Sequence, residues 1–363
     1  MNRFFINCPI GFEDILIEEL QYKWSYAFQD SHLEIVEKSI GGIEIECNIS
    51  KGLNLNKILK VPNRILLRVK TQKCRDLPKL YKILKKIDWK EYYEQENILF
   101  NISTKTSRLI HSKRINDTAE SAIKDYFNAN KLSKKSIEKT KDYPNQTVFI
   151  RLIDDLLTIS LDTSGPLLHI RSNSSFRGHA SLRENYASAI LINTLKLRPQ
   201  KLSIIDPMCG TGTLLKEALS FCELNNRDFS YNYWTQDYES KIDEVKTPWE
   251  IEKLIGIDID NNIINKNKEL SKNKIEYINA DSLNYKMDIS HDNVYVISNP
   301  PYGKRVKIKD DKSNYFNKLF SIPICQSSHS STFLIPQIYA NKLRGSKLYF
   351  NQNGIKIAVV THK

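Results

Sequence analysis

The run Asn299-Pro300-Pro301-Tyr302 brings together residue types that suit one kind of chemistry. The Asn299 side-chain oxygen and the Pro300 carbonyl are two acceptors, enough to hold both hydrogens of a primary amine. An amine on a planar ring is a poor nucleophile, because its lone pair is delocalised into the ring. Holding its hydrogens aims the lone pair at a methyl carbon and favours the pyramidal, partly positive transition state. Pro300 and Pro301 stiffen the backbone, so the acceptors are preorganised. Tyr302 offers a face on which a base can stack once it leaves its helix.

A second run, Asp206-Pro207-Met208-Cys209-Gly210-Thr211-Gly212-Thr213, follows the apolar segment 202–206 and opens a helix. Glycines at such a turn let the backbone pass close to a ligand at the strand's carboxyl end, where open α/β sheets bind. The run is not a P-loop, because no Gly-Lys-Ser/Thr follows. It lacks the third glycine of a dinucleotide fingerprint. Asp258 ends the next apolar segment, where an acid can accept both hydroxyls of a ribose. Asp281 ends a third, where an adenine amino group can be met. An acid at a strand tip equally serves to cap the helix that follows. The four features in this order are what raise the nucleoside reading.

These residues need strands to present them. Segments 202–206, 254–260, 275–281 and 293–299 read as buried strands separated by helical stretches, which means a parallel sheet with crossover helices. A helix is expected over 182–195. Upstream, strands are expected at 3–7, 33–37, 42–47, 64–71 and 97–103. Helices are expected at 11–20, 51–60, 76–87 and 117–129, the last with Asp117 as its cap. A hairpin is expected over 147–162, turning at Asp154-Asp155. The pattern changes after Gly165-Pro166.

The 363 residues carry 54 Lys and Arg against 42 Asp and Glu, a net charge of +12. The excess is uneven. Residues 1–50 hold 3 basic against 9 acidic residues, net −6, and residues 51–150 hold 23 against 10, net +13. Residues 151–300 are at net −4 (17 against 21), and residues 301–363 at net +9 (11 against 2). A basic block beside Tyr81, Trp89, Tyr92 and Tyr93 suits a polyanion, and equally suits a solvated lysine-rich surface. No apolar run approaches the roughly 18–20 residues of a membrane span. The apolar stretch at the amino terminus is too short for a signal peptide. Six scattered cysteines include no Cys-x-x-Cys pair, so neither a disulfide framework nor a zinc ribbon is expected, and a cytoplasmic location is. The seven histidines are isolated and no metal is expected; His111 and His169 read as surface or structural residues.

Together the segments resemble the bacterial 23S rRNA guanine-N2 methyltransferases that carry a THUMP domain, the RlmL-type group. FFINCPIGFEDILIEEL resembles that family's amino-terminal unit. VPNRILLRVKTQKCRDLPKLYKILKKIDW and IHSKRINDTAESAIKDYF are similar to its THUMP region. LTISLDTSGPLLHIR resembles its closing hairpin and linker, and ASLRENYASAIL the helix before the catalytic sheet. DPMCGTGTLLKEAL, GIDID and NPPYGKR resemble its cofactor, ribose and catalytic motifs, and KLYFNQNGIKIAVV its final hairpin. Two places depart from the family pattern: after His169 the chain reads Ile170-Arg171-Ser172-Asn173-Ser174, and Ser181 stands where a proline is usual.

The resemblance implies an α/β fold. A Rossmann-like class I methyltransferase domain at 166–363, with a mostly parallel seven-stranded sheet, would follow a ferredoxin-like unit at 1–50 and a THUMP domain at 51–165. It implies S-adenosylmethionine as cofactor, S-adenosylhomocysteine as product and no metal. Asp206, Gly210 and Gly212 would line the methionine part of the cofactor, and Pro207, Cys209 and Thr213 would also belong to its binding loop. Asp258 would hold its ribose and Asp281 its adenine, with Ile259, Ser282 and Asn299 also among the cofactor-binding residues. Asn299, Pro300, Pro301 and Tyr302 would receive the guanine amine. The partner would be RNA, 23S rRNA or a ribosomal precursor, bound by a monomer away from any membrane. A tRNA guanine-N2 enzyme is the nearest alternative. DNA adenine-N6 and protein-glutamine enzymes share the Asn-Pro-Pro-Tyr run but leave residues 1–165 unexplained. A non-catalytic RNA-binding or assembly factor would have no need of both motifs.

Overall fold

A computed structural model describes residues 1–30, 32–93, 98–130, 146–171, 182–238, 241–271, 273–287, 293–302, 312–352 and 354–363. Residues 172–174 and Ser181 of the linker, and Gly303, Lys304 and Arg305 after the Asn-Pro-Pro-Tyr run, lie outside them.

The amino-terminal half builds one seven-stranded sheet. Its strands are β1 (Asn2–Asn7), β2 (Glu34–Ser39), β3 (Gly42–Cys47), β4 (Arg64–Lys73), β5 (Leu99–Lys105), β6 (Thr147–Ile153) and β7 (Leu156–Asp162), in the order β2-β3-β1-β4-β7-β6-β5. β1 pairs antiparallel with β4, Phe4 opposite Leu67, so the sheet runs without a break from the acidic first 50 residues into the basic block. Its helices are α1 (Glu13–Phe28), α2 (Ile49–Ile58), α3 (Leu77–Lys85) and α4 (Ser112–Ala129). α1 is longer than expected, because Leu20, Trp24 and Ala27 continue its buried stripe.

α4 corrects the expected cap. It begins at Ser112, so Asp117 lies inside it, and the N-cap His111 makes no side-chain cap bond. Ile115, Ala119, Ala122, Ile123, Tyr126 and Phe127 form its buried face, and that stripe starts before Asp117. Packing here outweighs the capping preference of a single carboxylate. The hairpin of β6 and β7 turns at Asp154 (φ 50°) and Asp155 (φ 63°), the left-handed pair that a two-residue turn requires.

The carboxyl-terminal half builds a second seven-stranded sheet, mostly parallel and Rossmann-like. Its elements are α5 (Glu184–Leu195), β8 (Gln200–Asp206), α6 (Thr213–Leu219), β9 (Trp249–Asp258), α7 (Asn261–Ser271), β10 (Glu276–Asn279), β11 (Val294–Ser298), α8 (Lys312–Leu319), α9 (Pro323–Gln326), β12 (Ser330–Pro336), α10 (Gln337–Ala340), β13 (Ser346–Gln352) and β14 (Ile355–His362). The strand order is β10-β9-β8-β11-β12-β14-β13. β8 to β12 are parallel, and β14 enters antiparallel between β12 and β13. Chain order reverses between β8 and β11, and there the carboxyl ends of neighbouring strands splay to leave a crevice.

The two halves are joined by filled contacts. Phe12, Tyr186 and Phe350 pack ring to ring, with centroids 5.0 to 5.3 Å apart. The fully buried Lys23 ammonium reaches Glu19 (2.8 Å), the Ile58 carbonyl (2.9 Å) and the Phe221 carbonyl (2.9 Å). Glu19 in turn accepts from the backbone N–H of Lys60 and Val61. Every donor of this buried ion pair has a partner, so it sets a geometry at little cost. Arg227 binds the carbonyls of Ser164, Pro166, Leu167 and Ile170, which fastens the segment leaving the first sheet.

Candidate active site

β8 delivers the glycine loop because its last residue is locked. Asp206 is 2% exposed and accepts from Ser298 Oγ at 2.6 Å and from the Met208 N–H at 3.2 Å. Ser298 is the last residue of β11, so this one bond ties the start of the glycine loop to the residue before Asn299. Burial pushes the Asp206 carboxyl up to about 7, and the nearby Asp258 charge adds to it. The serine and the backbone N–H pull the other way.

The loop then turns through two left-handed glycines, Gly210 (φ 49°) and Gly212 (φ 72°). A Cβ at Gly210 would meet nothing within 4 Å, so space stands open above it. A Cβ at Gly212 would fall 2.4 Å from the Tyr277 hydroxyl. Pro207 is buried, and Thr213 begins α6, its hydroxyl 3.3 Å from that of Thr211. Cys209 donates its N–H to the Ile257 carbonyl at 2.9 Å. Its thiol is buried where a Gly256 side chain would stand, and burial raises it far above its ordinary value. The backbone of Cys209 therefore serves the loop, and its sulfur packs beneath.

β9 brings Asp258 to the same crevice. Asp258 accepts from the Gly210 N–H at 2.9 Å and the Asp260 N–H at 3.0 Å, one to each oxygen. Each oxygen keeps a lone pair, so a vicinal diol can still be received. Ile259 is 73% exposed, an apolar side chain left open beside that carboxylate. β10 ends next to it, with Asn279 opposite Asp258. Asp281 follows and caps a turn by accepting from the Leu283 N–H (3.1 Å) and the Asn284 side chain (3.2 Å), and Ser282 is buried. The Tyr315 hydroxyl lies 3.4 Å from the Met208 sulfur, and the Asp281 charge raises its pKa further after burial has done so.

Asn299, Pro300, Pro301 and Tyr302 leave the tip of β11. Pro300 is buried and the other three are half-buried. Tyr302 donates its hydroxyl to Asn299 Oδ1 at 2.5 Å, and its ring packs on both hydrophobic clusters. Burial pushes its phenol well above the ordinary range. The structure thus gathers Asp206, Gly210, Gly212, Asp258 and Asn299 at adjacent strand ends, with Asp281 one strand further out.

Several supporting residues carried no motif signal. Asn267 on α7 donates to the Gly210 carbonyl at 2.7 Å and accepts from Lys216, which donates to the Thr211 carbonyl at 2.7 Å. Asn279 donates to the carbonyls of both Asp258 and Ile259 at 3.0 Å. Ser298 was hidden in an apolar strand. Only strand alternation, which sets it on the opposite face from Asn299, could have pointed to it.

The residues fit a nucleoside cofactor. Open space lies over Gly210, a carboxylate with free lone pairs stands at the β9 tip, and an exposed isoleucine lies beside it. Among the described residues, no group of three or more His, Cys, Asp or Glu could hold a metal, and no helix is long and apolar enough to cross a membrane.

The chain is similar to known methyltransferases. Residues 171–330 match the family described as RMKL-like, methyltransferase domain. The ribosomal RNA large subunit methyltransferase K/L of Shewanella amazonensis is 25% identical over 327 residues, covering 84% of this chain and 44% of that protein. Its counterpart in Shewanella sediminis is 27% identical over 335 residues, with the same coverage. The chain spans less than half the length of these relatives. Among solved structures, one from Clostridium difficile 630 described as a possible methylase has a TM-score of 0.78 at 21% identity, covering 99% of this chain and 97% of that one. SMU.472, solved as a complex with SAH, has a TM-score of 0.76 at 21% identity, with the same coverage. TrmN from Thermus thermophilus has a TM-score of 0.69 at 15% identity, covering 99% of both chains. At these identities the likeness to solved structures is one of fold.

Proposed function

We propose, because residues 171–330 match the RMKL-like methyltransferase domain, that the chain methylates the exocyclic N2 amine of a guanine in 23S rRNA, with S-adenosylmethionine as donor. The observation that carries this is the Ser298–Asp206 bond together with the Gly210–Asp258 bond. Between them they set the glycine loop, the diol acceptor and Asn299 around one crevice.

When bound, S-adenosylmethionine supplies an electrophilic methyl group on a positively charged sulfur. The chain's own residues do the rest. Asp206, Gly210 and Gly212 hold the methionine end, Asp258 the ribose, and Asp281 the adenine edge. Asn299 Oδ1 and the Pro300 carbonyl accept the two hydrogens of the guanine amine. They leave its lone pair facing the methyl and stabilise the charge that develops on nitrogen. No group need deprotonate the amine beforehand, because the nitrogen becomes acidic only as the bond forms and then releases one proton to solvent.

The first sheet supplies the RNA grip on this reading. At one end of it Asp155 gathers two basic loops. It accepts from Arg75 Nε at 2.9 Å and from the Arg108 N–H at 2.8 Å, and the latter bond leads in holding its carboxyl below the usual range. Its own carbonyl takes the Cys74 N–H, and the Lys105 carbonyl takes the Asp154 N–H. Lys73, Arg75, Lys105, Arg108, Lys113 and Arg114 are all exposed around this point. Lys113 and Arg114 sit in the first turn of α4, where cations oppose the helix dipole, so stability alone does not favour them there. Phosphates facing this end would offset that repulsion.

Incubation with methyl-labelled S-adenosylmethionine and either unmodified 23S rRNA or unmodified tRNA tests the proposal, with the nucleosides separated after digestion. Label in N2-methylguanosine from 23S rRNA is expected. The same nucleoside from tRNA alone would overturn the substrate. Cofactor binding with no label in either RNA would turn the reading towards a non-catalytic assembly factor.

A further inference from the structure

The Asn299 carboxamide has two ends of similar shape and opposite function. Its oxygen accepts and its nitrogen donates. On the function proposed above, on which this inference rests, only the oxygen can hold an amine hydrogen. A half-turn about the last side-chain bond would set NH2 against NH2 and leave the substrate amine unheld. Asn299 is half-buried at a strand tip, so the crevice shape alone does not choose between the ends.

The Tyr302 hydroxyl does choose. It stands 2.5 Å from Asn299 Oδ1. The ring that carries it packs on both hydrophobic clusters, so the hydroxyl arrives from a set direction. With the carboxamide flipped, the hydroxyl would have to accept from the amide nitrogen and turn its own hydrogen towards the apolar groups around its ring. That exchanges one hydrogen bond for another and leaves the hydroxyl's own hydrogen without its acceptor. A carbonyl oxygen has two lone pairs, so donation from Tyr302 leaves one free for substrate.

We infer that the Tyr302 hydroxyl is a positioning group that fixes which end of Asn299 faces the substrate amine. Tyr302 then has two separable parts. The ring offers stacking area to the base, and the hydroxyl acts on the amine through Asn299. Because the phenol keeps its proton across the working pH range, it stays a donor throughout.

Tyr302→Phe isolates the second part, and Tyr302→Leu removes both. Single-turnover methylation, KM for RNA, cofactor Kd and melting temperature are measured for each. The Phe variant should lose about tenfold in rate, the worth of one oriented hydrogen bond, with RNA KM, cofactor Kd and melting unchanged. The Leu variant should in addition raise RNA KM. A Phe variant at the wild-type rate, or one whose rate falls only in step with Kd or melting, would overturn the inference. If the wild-type protein labels no guanine amine, the proposed function fails instead. The inference is then decided by crystal structures of the wild type and of Tyr302→Phe. A carboxamide held in one orientation by Tyr302 and found in both without it supports the inference, and one unchanged by the substitution refutes it.

Discussion

The cost of Gly212→Ala should depend on a tyrosine two strands away. Gly212 has φ 72°, a conformation that costs an L-residue about 1–2 kcal/mol. The new Cβ would lie 2.4 Å from the Tyr277 hydroxyl and 3.3 Å from its ring carbons. Tyr277 is 4% exposed and cannot swing into solvent, so this overlap adds the roughly 1–3 kcal/mol of an overpacked core. The single substitution should therefore destabilise by about 2–5 kcal/mol. The Tyr277 hydroxyl has no hydrogen-bond partner among the described residues. Tyr277→Phe sacrifices no bond and should be neutral, or stabilising by up to about 1 kcal/mol. It also removes the atom at 2.4 Å and leaves only the ring contacts. The double variant should retain just the backbone penalty, which gives a coupling of about 1–3 kcal/mol between the two sites. Equilibrium urea unfolding of the four proteins, followed by tryptophan fluorescence, measures this; Trp249 on β9 lies in the same sheet. A double variant as unstable as the sum of the two single variants would refute the reasoning, since it would mean that Gly212 is required by its backbone alone.

Asn299→Ala should bind S-adenosylmethionine as the wild type does and lose about 100- to 1,000-fold in turnover, as expected for one transition-state acceptor; calorimetry and single-turnover rates check the two halves, and unchanged turnover would sink the assignment. Asp206 should make stability fall as pH rises from about 4 to about 7, because the folded protein keeps on it a proton that the unfolded chain has released above its ordinary 3.8. Asp206→Asn is uncharged throughout, so the wild-type-minus-variant stability should decline over that window and then level off. A difference independent of pH would show that Asp206 ionises normally. Arg108→Glu with Lys113→Glu should weaken 23S rRNA binding and flatten its log–log salt dependence by about 2, nearly one unit per lost phosphate contact, without altering cofactor affinity. An unchanged slope would place the RNA elsewhere.

The periodic patterns of this chain made most of its elements readable. Short apolar runs ending in acids are β8 and β9, and the strand before Asn-Pro-Pro-Tyr is β11. Their strand–helix alternation is enough to require a mostly parallel sheet, since a parallel crossover needs a covering element. Element ends were less readable. β9 begins five residues earlier than its apolar run, at Trp249, where pairing with Gln200 extends it. α4 begins before Asp117 because its stripe is held by packing against the first sheet.

Which residues meet across the fold was decided by tertiary structure. Glycines, acids and an Asn-Pro-Pro-Tyr run are local features, and a local feature can be recognised wherever it occurs. Ser298 on Asp206, Asn267 on Gly210, Tyr277 beneath Gly212 and the basic loops gathered by Asp155 are pairings between residues far apart in the chain. No periodicity encodes them, because each depends on strand order, on register and on which face of a sheet a side chain takes. Residue types and their order supply the parts of the site and the chemistry those parts are able to do. The fold decided how the carboxylates, the glycine loop and the Asn299 oxygen are aimed, because burial and hydrogen-bond direction exist only once the sheets are packed.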